Sequence, residues 1–275
     1  MIAGDKGSQP SIPNIAGKVM TVNGPMEPDR LGPTIMHEHF FIDFWKDRVP
    51  PHNTPATEAA LWDQKLGLET LHQARSRIPI KDNYVLGDEA TAIAEVMEFK
   101  KNGGSTVVEV TSIGIGRDPL ALRRVANATG LNVVMGAGWY QKAYHPDDMD
   151  KRTVEDLADE IIRDVTTGVG DTGIRSGIIG EVGINGDPLT PNEIKSLQAS
   201  ARASRATGAA ISLHWGGTGR EKLEVVSILG EEGADMSRVI FGHSDSIACD
   251  MSLMLELLGH GVYIQFDNLG LDTTP

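Results

Sequence analysis

The feature that most constrains this chain is a repeated alternation of a short apolar strand, a turn, a capped helix and another strand. The segment Ser105-Thr-Val-Val-Glu-Val-Thr111 predicts a strand. Asp118 then offers an N-cap, Pro119 a first helical position and Gly130 a stop. Residues 132–138 predict the next strand. A helix over 153–167 follows, with Thr153 and Asp156 spaced as a capping box. Glu181 lies in a strand over 177–183. Thr190-Pro-Asn-Glu193 is a second capping box, opening a helix that stops at Gly208. A strand ending at His214, a helix over 220–229 and a strand ending at His243 come next. A helix over 251–258, stopped by Gly259, and a strand over 261–267 complete the pattern. Such alternation implies right-handed βαβ units and a parallel sheet. The strands are apolar runs, not strict alternations, as expected for a sheet covered on both faces.

Seven core strands are expected, the first over 34–37. A long excursion over 44–87 separates it from the second and predicts a helix over 55–77 with Thr54 as its N-cap. No repeat or linker divides the chain, so residues 17–275 read as one domain behind a flexible tail over 1–16. A doubly wound sheet would usually carry a glycine-rich turn after its first strand. Here that strand runs into His37-Glu-His39. The polar residues fall at the C-terminal ends of strands, where α/β barrels build their sites, and this favours a barrel.

The net charge of −13 argues against nucleic acid and anionic membrane surfaces as partners. Cys249 is the single cysteine, which excludes an intrachain disulfide and fits a reducing, cytoplasmic setting. Residues 1–13 lack a basic start followed by an apolar run, so no secretory signal is expected. No stretch approaches the roughly 18 apolar residues of a membrane span.

Chemistry concentrates on five residues. His37 and His39 are two apart on a strand and so share a face, and both rings can reach one metal. Glu38 between them points the other way. Glu181 follows apolar residues and Gly180, where a carboxylate is costly unless it is paired or metal-bound. Its two oxygens can bridge two cations, with His214 and His243 completing the second. Singly, each is as readily an ordinary buried polar group. Together they form a set suited to zinc-like metals, with manganese, cobalt and iron as alternatives. Two such metals can hold a bridging hydroxide that attacks carbon or phosphorus, with no serine or cysteine nucleophile. No Gly-X-Ser-X-Gly elbow is present. Gly114-Ile-Gly116 and Gly216-Gly217 match no full nucleotide motif and read as backbone turns.

From about Gly17 onward the chain resembles the phosphotriesterase family of the amidohydrolase superfamily. The resemblance rests on Met36-His-Glu-His39, Gly116-Arg-Asp-Pro119, Ala128-Thr-Gly-Leu131, Gly180-Glu-Val-Gly183 and Phe241-Gly-His-Ser-Asp245. It implies a (β/α)8 TIM barrel with a binuclear metal centre. By position, His37 and His39 match the ligands of the more buried metal, His214 and His243 those of the more exposed one, and Glu181 the bridge. Many family members bridge with a carboxylated lysine; a glutamate needs no carbon dioxide. An acid and a histidine that relay protons in the lysine-bridged phosphotriesterases are replaced here by Ser246 and Asn268. The arginine that many lactonases carry at the position of Asn268 is also missing. In related lactonases, a tyrosine at the position of Tyr140 sits over the metals and contacts the substrate oxygen. Trp139, Tyr144 and His145 surround it in sequence without an assigned role.

The resemblance also implies an eighth strand that ends in an aspartate ligand. The sequence through Pro275 shows no such segment, and Asp267 and Asp272 belong to the seventh strand and its loop. The chain therefore reads as C-terminally incomplete, with open edges, weak activity and a tendency to aggregate. The expected function is cleavage of an ester, lactone or phosphotriester bond in a small molecule, with a homodimer as the family's assembly. The alternative is a non-catalytic barrel that binds metal or a small ligand.

Overall fold

The computed structural model describes residues 15–48, 53–75, 79–185, 188–215 and 219–268. Most of the expected tail, the turn at Gly216-Gly217, and any strand beyond residue 268, with Asp272, lie outside these residues. Among the described residues, no helix is long and apolar enough to cross a membrane.

The chain enters through an antiparallel hairpin, β1 (Val19–Thr21) and β2 (Gly24–Met26). The first wall strand is β3 (Thr34–Glu38). Next come β4 (Ile42–Asp43), α1 (Ala56–Trp62), α2 (Leu71–Arg75) and β5 (Val85–Leu86), the last pairing back onto β4. Strands and helices then alternate: α3 (Glu89–Lys101), β6 (Thr106–Glu109), α4 (Pro119–Thr129) and β7 (Asn132–Met135). They are followed by α5 (Val154–Thr166), β8 (Ile179–Ile184), α6 (Pro191–Thr207) and β9 (Ile211–Trp215). The series closes with α7 (Glu221–Glu231), β10 (Val239–Phe241), α8 (Met251–Gly259) and β11 (Tyr263–Ile264).

The wall is parallel throughout, in the orders β3-β6-β7 and β8-β9-β10-β11. The two sheets join where Gly177 N–H donates to Met135 O at 2.9 Å and Gly183 N–H to Trp139 O at 3.0 Å. The seven expected wall strands are all present, and the architecture is an α/β barrel of the (β/α)8 kind. Every residue of β8 is buried, which explains why its sequence is an unbroken apolar run around one acid. The core lies between wall and helices. Leu213 and Phe241 meet Leu197, Val225 and Leu257, all fully buried. Each such side chain contributes about 1.5–3 kcal/mol.

The helix caps follow the sequence. Asp118 accepts from Ala121 N–H at 2.9 Å, and Gly130 closes α4 with a left-handed φ of 66°. Both expected capping boxes form, at Thr153 with Asp156 and at Thr190 with Glu193. One helix, α3, was not singled out from sequence; Asp88 caps it by accepting from Thr91 N–H at 2.6 Å.

The helix expected over 55–77 is instead two short helices, and Pro55, not Thr54, precedes the first. Polar ties break it. Asp82 accepts from Lys65 Nζ at 2.5 Å and from Leu66 N–H at 3.0 Å. The Thr70 hydroxyl takes Gly67 N–H at 2.9 Å and donates to Lys65 O at 2.9 Å. With glycine already a poor helix former, these bonds prevail. The strands expected to reach His243 and Asp267 also stop early, at Phe241 and Ile264. His243 takes a left-handed φ of 48°, which no strand continues through.

Candidate metal centre

The C-terminal ends of four wall strands bring the five sequence-predicted ligands together. His37 lies within β3 and His39 one residue beyond it. Glu181 is the third residue of β8 and His214 the fourth of β9. His243 lies two residues past β10. Two glycines let Glu181 approach. At Gly180, φ is 140° and a Cβ would lie 2.3 Å from Ser212 O. At Gly183, a Cβ would lie 2.2 Å from the Tyr140 carbonyl carbon, so glycine allows β8 to press against the Tyr140 segment.

All four rings face one carboxylate. Glu181 Oε2 lies 3.2 Å from His37 Nε2, 2.9 Å from His214 Nδ1 and 3.5 Å from His243 Nε2. Glu181 Oε1 lies 3.2 Å from His39 Nε2. The Glu181 side chain is 1% exposed. Two triads therefore share Glu181, one with His37 and His39 and the other with His214 and His243, each with ligand atoms within 4.8 Å of one another.

Burial works against the ionised form of Glu181, but the surrounding histidines, His214 foremost, hold its pKa well below the usual range. Burial also pulls His243 down, yet its hydrogen bonds to Asp267 and Glu181 outweigh this and push it up to about 9. His214 moves the other way, because burial there exceeds the pull of Glu181.

Tyr140 stands beside this cluster. Its hydroxyl lies 3.1 and 3.0 Å from the His214 ring nitrogens, and the rings meet edge to face. Burial pushes its phenol pKa up, so the hydroxyl keeps its proton. Phe44 and Tyr144 pack against Tyr140 with ring centroids 5.4 and 5.5 Å away. His145 is buried behind it, with Nε2 2.8 Å from Tyr140 O. Trp139 belongs to the core, fully buried between wall and helices. Glu38 points to solvent, as its place between the two histidines implies. Ser246 lies in the turn Ser244–Ile247, and Asn268 donates to Asp245 Oδ2 from both its backbone and its amide at 3.3 Å.

Three residues of the cluster's surroundings were not read from sequence. Asp267, set aside as a seventh-strand residue, places Oδ1 2.7 Å from His243 Nδ1 and Oδ2 3.8 Å from His37 Nδ1. Its Oδ2 also accepts His243 N–H at 3.2 Å, bracing the left-handed turn. The register that pairs Phe241 with Ile264 brings the two strand ends together in space. Glu109 and Thr111 lie behind His39 on the neighbouring strand and the residues just after it, where no ligand spacing marks them.

The sequence profile of the phosphotriesterase family matches residues 17–275. Over 275 aligned residues, the chain is 39% identical to an N-acetyltaurine hydrolase of Dictyostelium discoideum, covering 93% of this chain and 74% of that one. It is 37% identical over 262 residues to a phosphotriesterase-related protein of Nematostella vectensis, covering 94% and 74%. A crystal structure of a resiniferatoxin-binding protein from Rhodobacter sphaeroides superposes with a TM-score of 0.87 at 36% identity, covering 93% and 71%.

Proposed function

We propose that this chain, which belongs to the phosphotriesterase family, is a hydrolase of small acyl amides or esters. On this reading it works at a two-cation centre held by His37, His39, Glu181, His214 and His243. The observation that carries the reading is the convergence of four imidazoles on one buried carboxylate. The donor set fits a cation. His37 Nε2 lies 3.2 Å from Glu181 Oε2, yet both His37 ring nitrogens are buried without a hydrogen bond. Orphaned buried nitrogens aimed at a carboxylate are costly unless something positive lies between them. Imidazole and carboxylate suit zinc, with manganese, cobalt and iron as alternatives.

Divalent cations held there by the four histidines and Glu181 would supply polarisation of a substrate carbonyl oxygen and a lowered pKa for a water. The chain's own residues do the rest. Glu181, held ionised, spans both triads through its two oxygens. The protonated Tyr140 hydroxyl is a donor placed to meet a substrate oxygen, and Phe44 and Tyr144 form an aromatic wall beside it. Asp267 holds the His243 ring through Nδ1, and its Oδ2 accepts the His243 N–H and the Gln265 amide, which fixes the carboxylate in place. Water adds across the acyl bond, giving a carboxylic acid and an amine or alcohol.

Relatives named for N-acetyltaurine hydrolysis favour an N-acyl amide substrate over the lactone or phosphotriester. The test begins with metal content on protein of verified mass, followed by turnover of N-acetyltaurine, a lactone, an aryl ester and a phosphotriester. About two cations per chain and hydrolysis of the amide are expected. Glu181→Ala should lose both metal and turnover; activity retained in that variant sinks the reading. A non-catalytic role has one supporting observation, the structural relative named for binding resiniferatoxin. Full metal loading with no turnover of any of the four substrates favours it.

A further inference from the structure

Behind His39 lies a buried polar relay that the reaction itself does not use. β6 runs parallel to β3, with Glu109 opposite Glu38. Glu109 and Thr111 are both fully buried. Glu109 Oε1 accepts Phe40 N–H at 3.1 Å and lies 2.5 Å from Thr111 Oγ1. Thr111 Oγ1 lies 2.9 Å from Phe41 O and 2.9 Å from His39 Nδ1.

We propose that Thr111 and Glu109 are positioning residues that fix the tautomer and aim of His39. The proposal rests on reading the five-residue cluster as a metal centre. A threonine hydroxyl has one proton and two lone pairs. Two of its three neighbours here, the Phe41 carbonyl and the Glu109 carboxyl, are oxygens. Spending the proton on His39 would leave both oxygens, the Phe41 carbonyl and the Glu109 carboxyl, facing hydroxyl lone pairs, whereas donation to either oxygen leaves only one such contact. The hydroxyl therefore donates to an oxygen and accepts from His39 Nδ1–H. That arrangement puts the free lone pair of His39 on Nε2, the atom 3.2 Å from Glu181 Oε1. Glu109 locks the relay from both sides, because it binds Thr111 and the backbone of the residue that follows His39. Outer partners of this kind set ligand orientation and basicity, and their loss typically costs about 10–100-fold in metal affinity.

The alternative is that the pair only staples β3 to β6. Thr111→Val keeps the shape and the Glu109–Phe40 bond but removes the hydroxyl. Cobalt titration of the metal-free full chain, followed by its visible absorption, should show one of two sites weakened by about 10–100-fold. Thr111→Ser should restore it. If the valine variant has a lowered melting temperature but wild-type cobalt affinity at both sites, the positioning role is overturned and the pair is a staple. If wild-type protein takes up no cobalt, the parent reading falls and this proposal falls with it. Should the valine variant fail to fold, nitrogen-15 spectra of the zinc-loaded wild type decide the matter. A slowly exchanging His39 Nδ1–H supports the relay, and a proton on Nε2 overturns it.

Discussion

At the scale of single residues, Asp267 and Lys222 show how burial gives a charge its work. Asp267 holds a histidine whose backbone is already in the left-handed region. Asp267→Asn should keep some bracing through its amide oxygen but lose the carboxylate that orients His243. Metal affinity is expected to fall about 10–100-fold with a small change in melting temperature; equilibrium dialysis against zinc checks it. Lys222 is far from such a role. It is fully buried, with Nζ 3.9 Å from the centroid of the Trp215 ring. Burial pulls its pKa down to about 7, against roughly 10.4 in an unfolded chain. Between these values the unfolded chain binds more protons, so this group's contribution to stability rises with pH. The protonated, buried form is a cost that is fully present below pH 7. The stability difference between wild type and Lys222→Met should therefore shift in favour of wild type as pH rises from 6.5 to 9. A gap that is flat across pH would refute the assignment.

At the scale of elements, what could be read from the sequence was what is local. The two capping boxes and the left-handed glycines at the ends of α4 and α6 each lie within a few residues of the bonds they make. Thr190→Ala should accordingly cost about 1 kcal/mol in chemical denaturation. It should leave metal content unchanged, since the cap's hydrogen bonds run to Glu193 and to none of the five clustered residues. The clustered residues were legible for the same reason: strand periodicity puts His37 and His39 on one face, and an acid amid apolar residues draws notice. The split of the helix expected over 55–77 was not legible, because Asp82 intervenes from 16 and 17 residues away. Asp267 escaped because its place depends on a turn at His243 that no propensity forecasts. Gly180 sits between these cases: its sequence neighbours mark it, but its contact with Ser212 comes from the adjacent strand. Gly180→Ala should cost about 3 kcal/mol and reduce metal uptake as β8 shifts. Wild-type metal content in a folded Ala variant would show that the close approach does not set the position of Glu181.

At the scale of the whole molecule, the wall has two free margins among the described residues. β3 pairs with β6 on one side, and β11 with β10 on one side. Beside them Met36 is 45% exposed, Tyr263 62% and Phe266 45%. Exposed apolar side chains gathered in this way favour association. Light scattering of this chain should rise with concentration, and Tyr263→Lys should reduce it. The sharing of Glu181 between two triads has its own consequence for how the protein meets a limited supply of metal. On the two-cation reading, the first cation would neutralise the one carboxylate common to both triads. The second would then settle beside a positive charge with half a carboxylate left to it. The two binding steps would be unequal, and the second constant would be the weaker. Under scarcity most molecules would hold a single ion. Turnover would then track the second step, so activity would stay low until metal exceeds one equivalent and climb only afterwards.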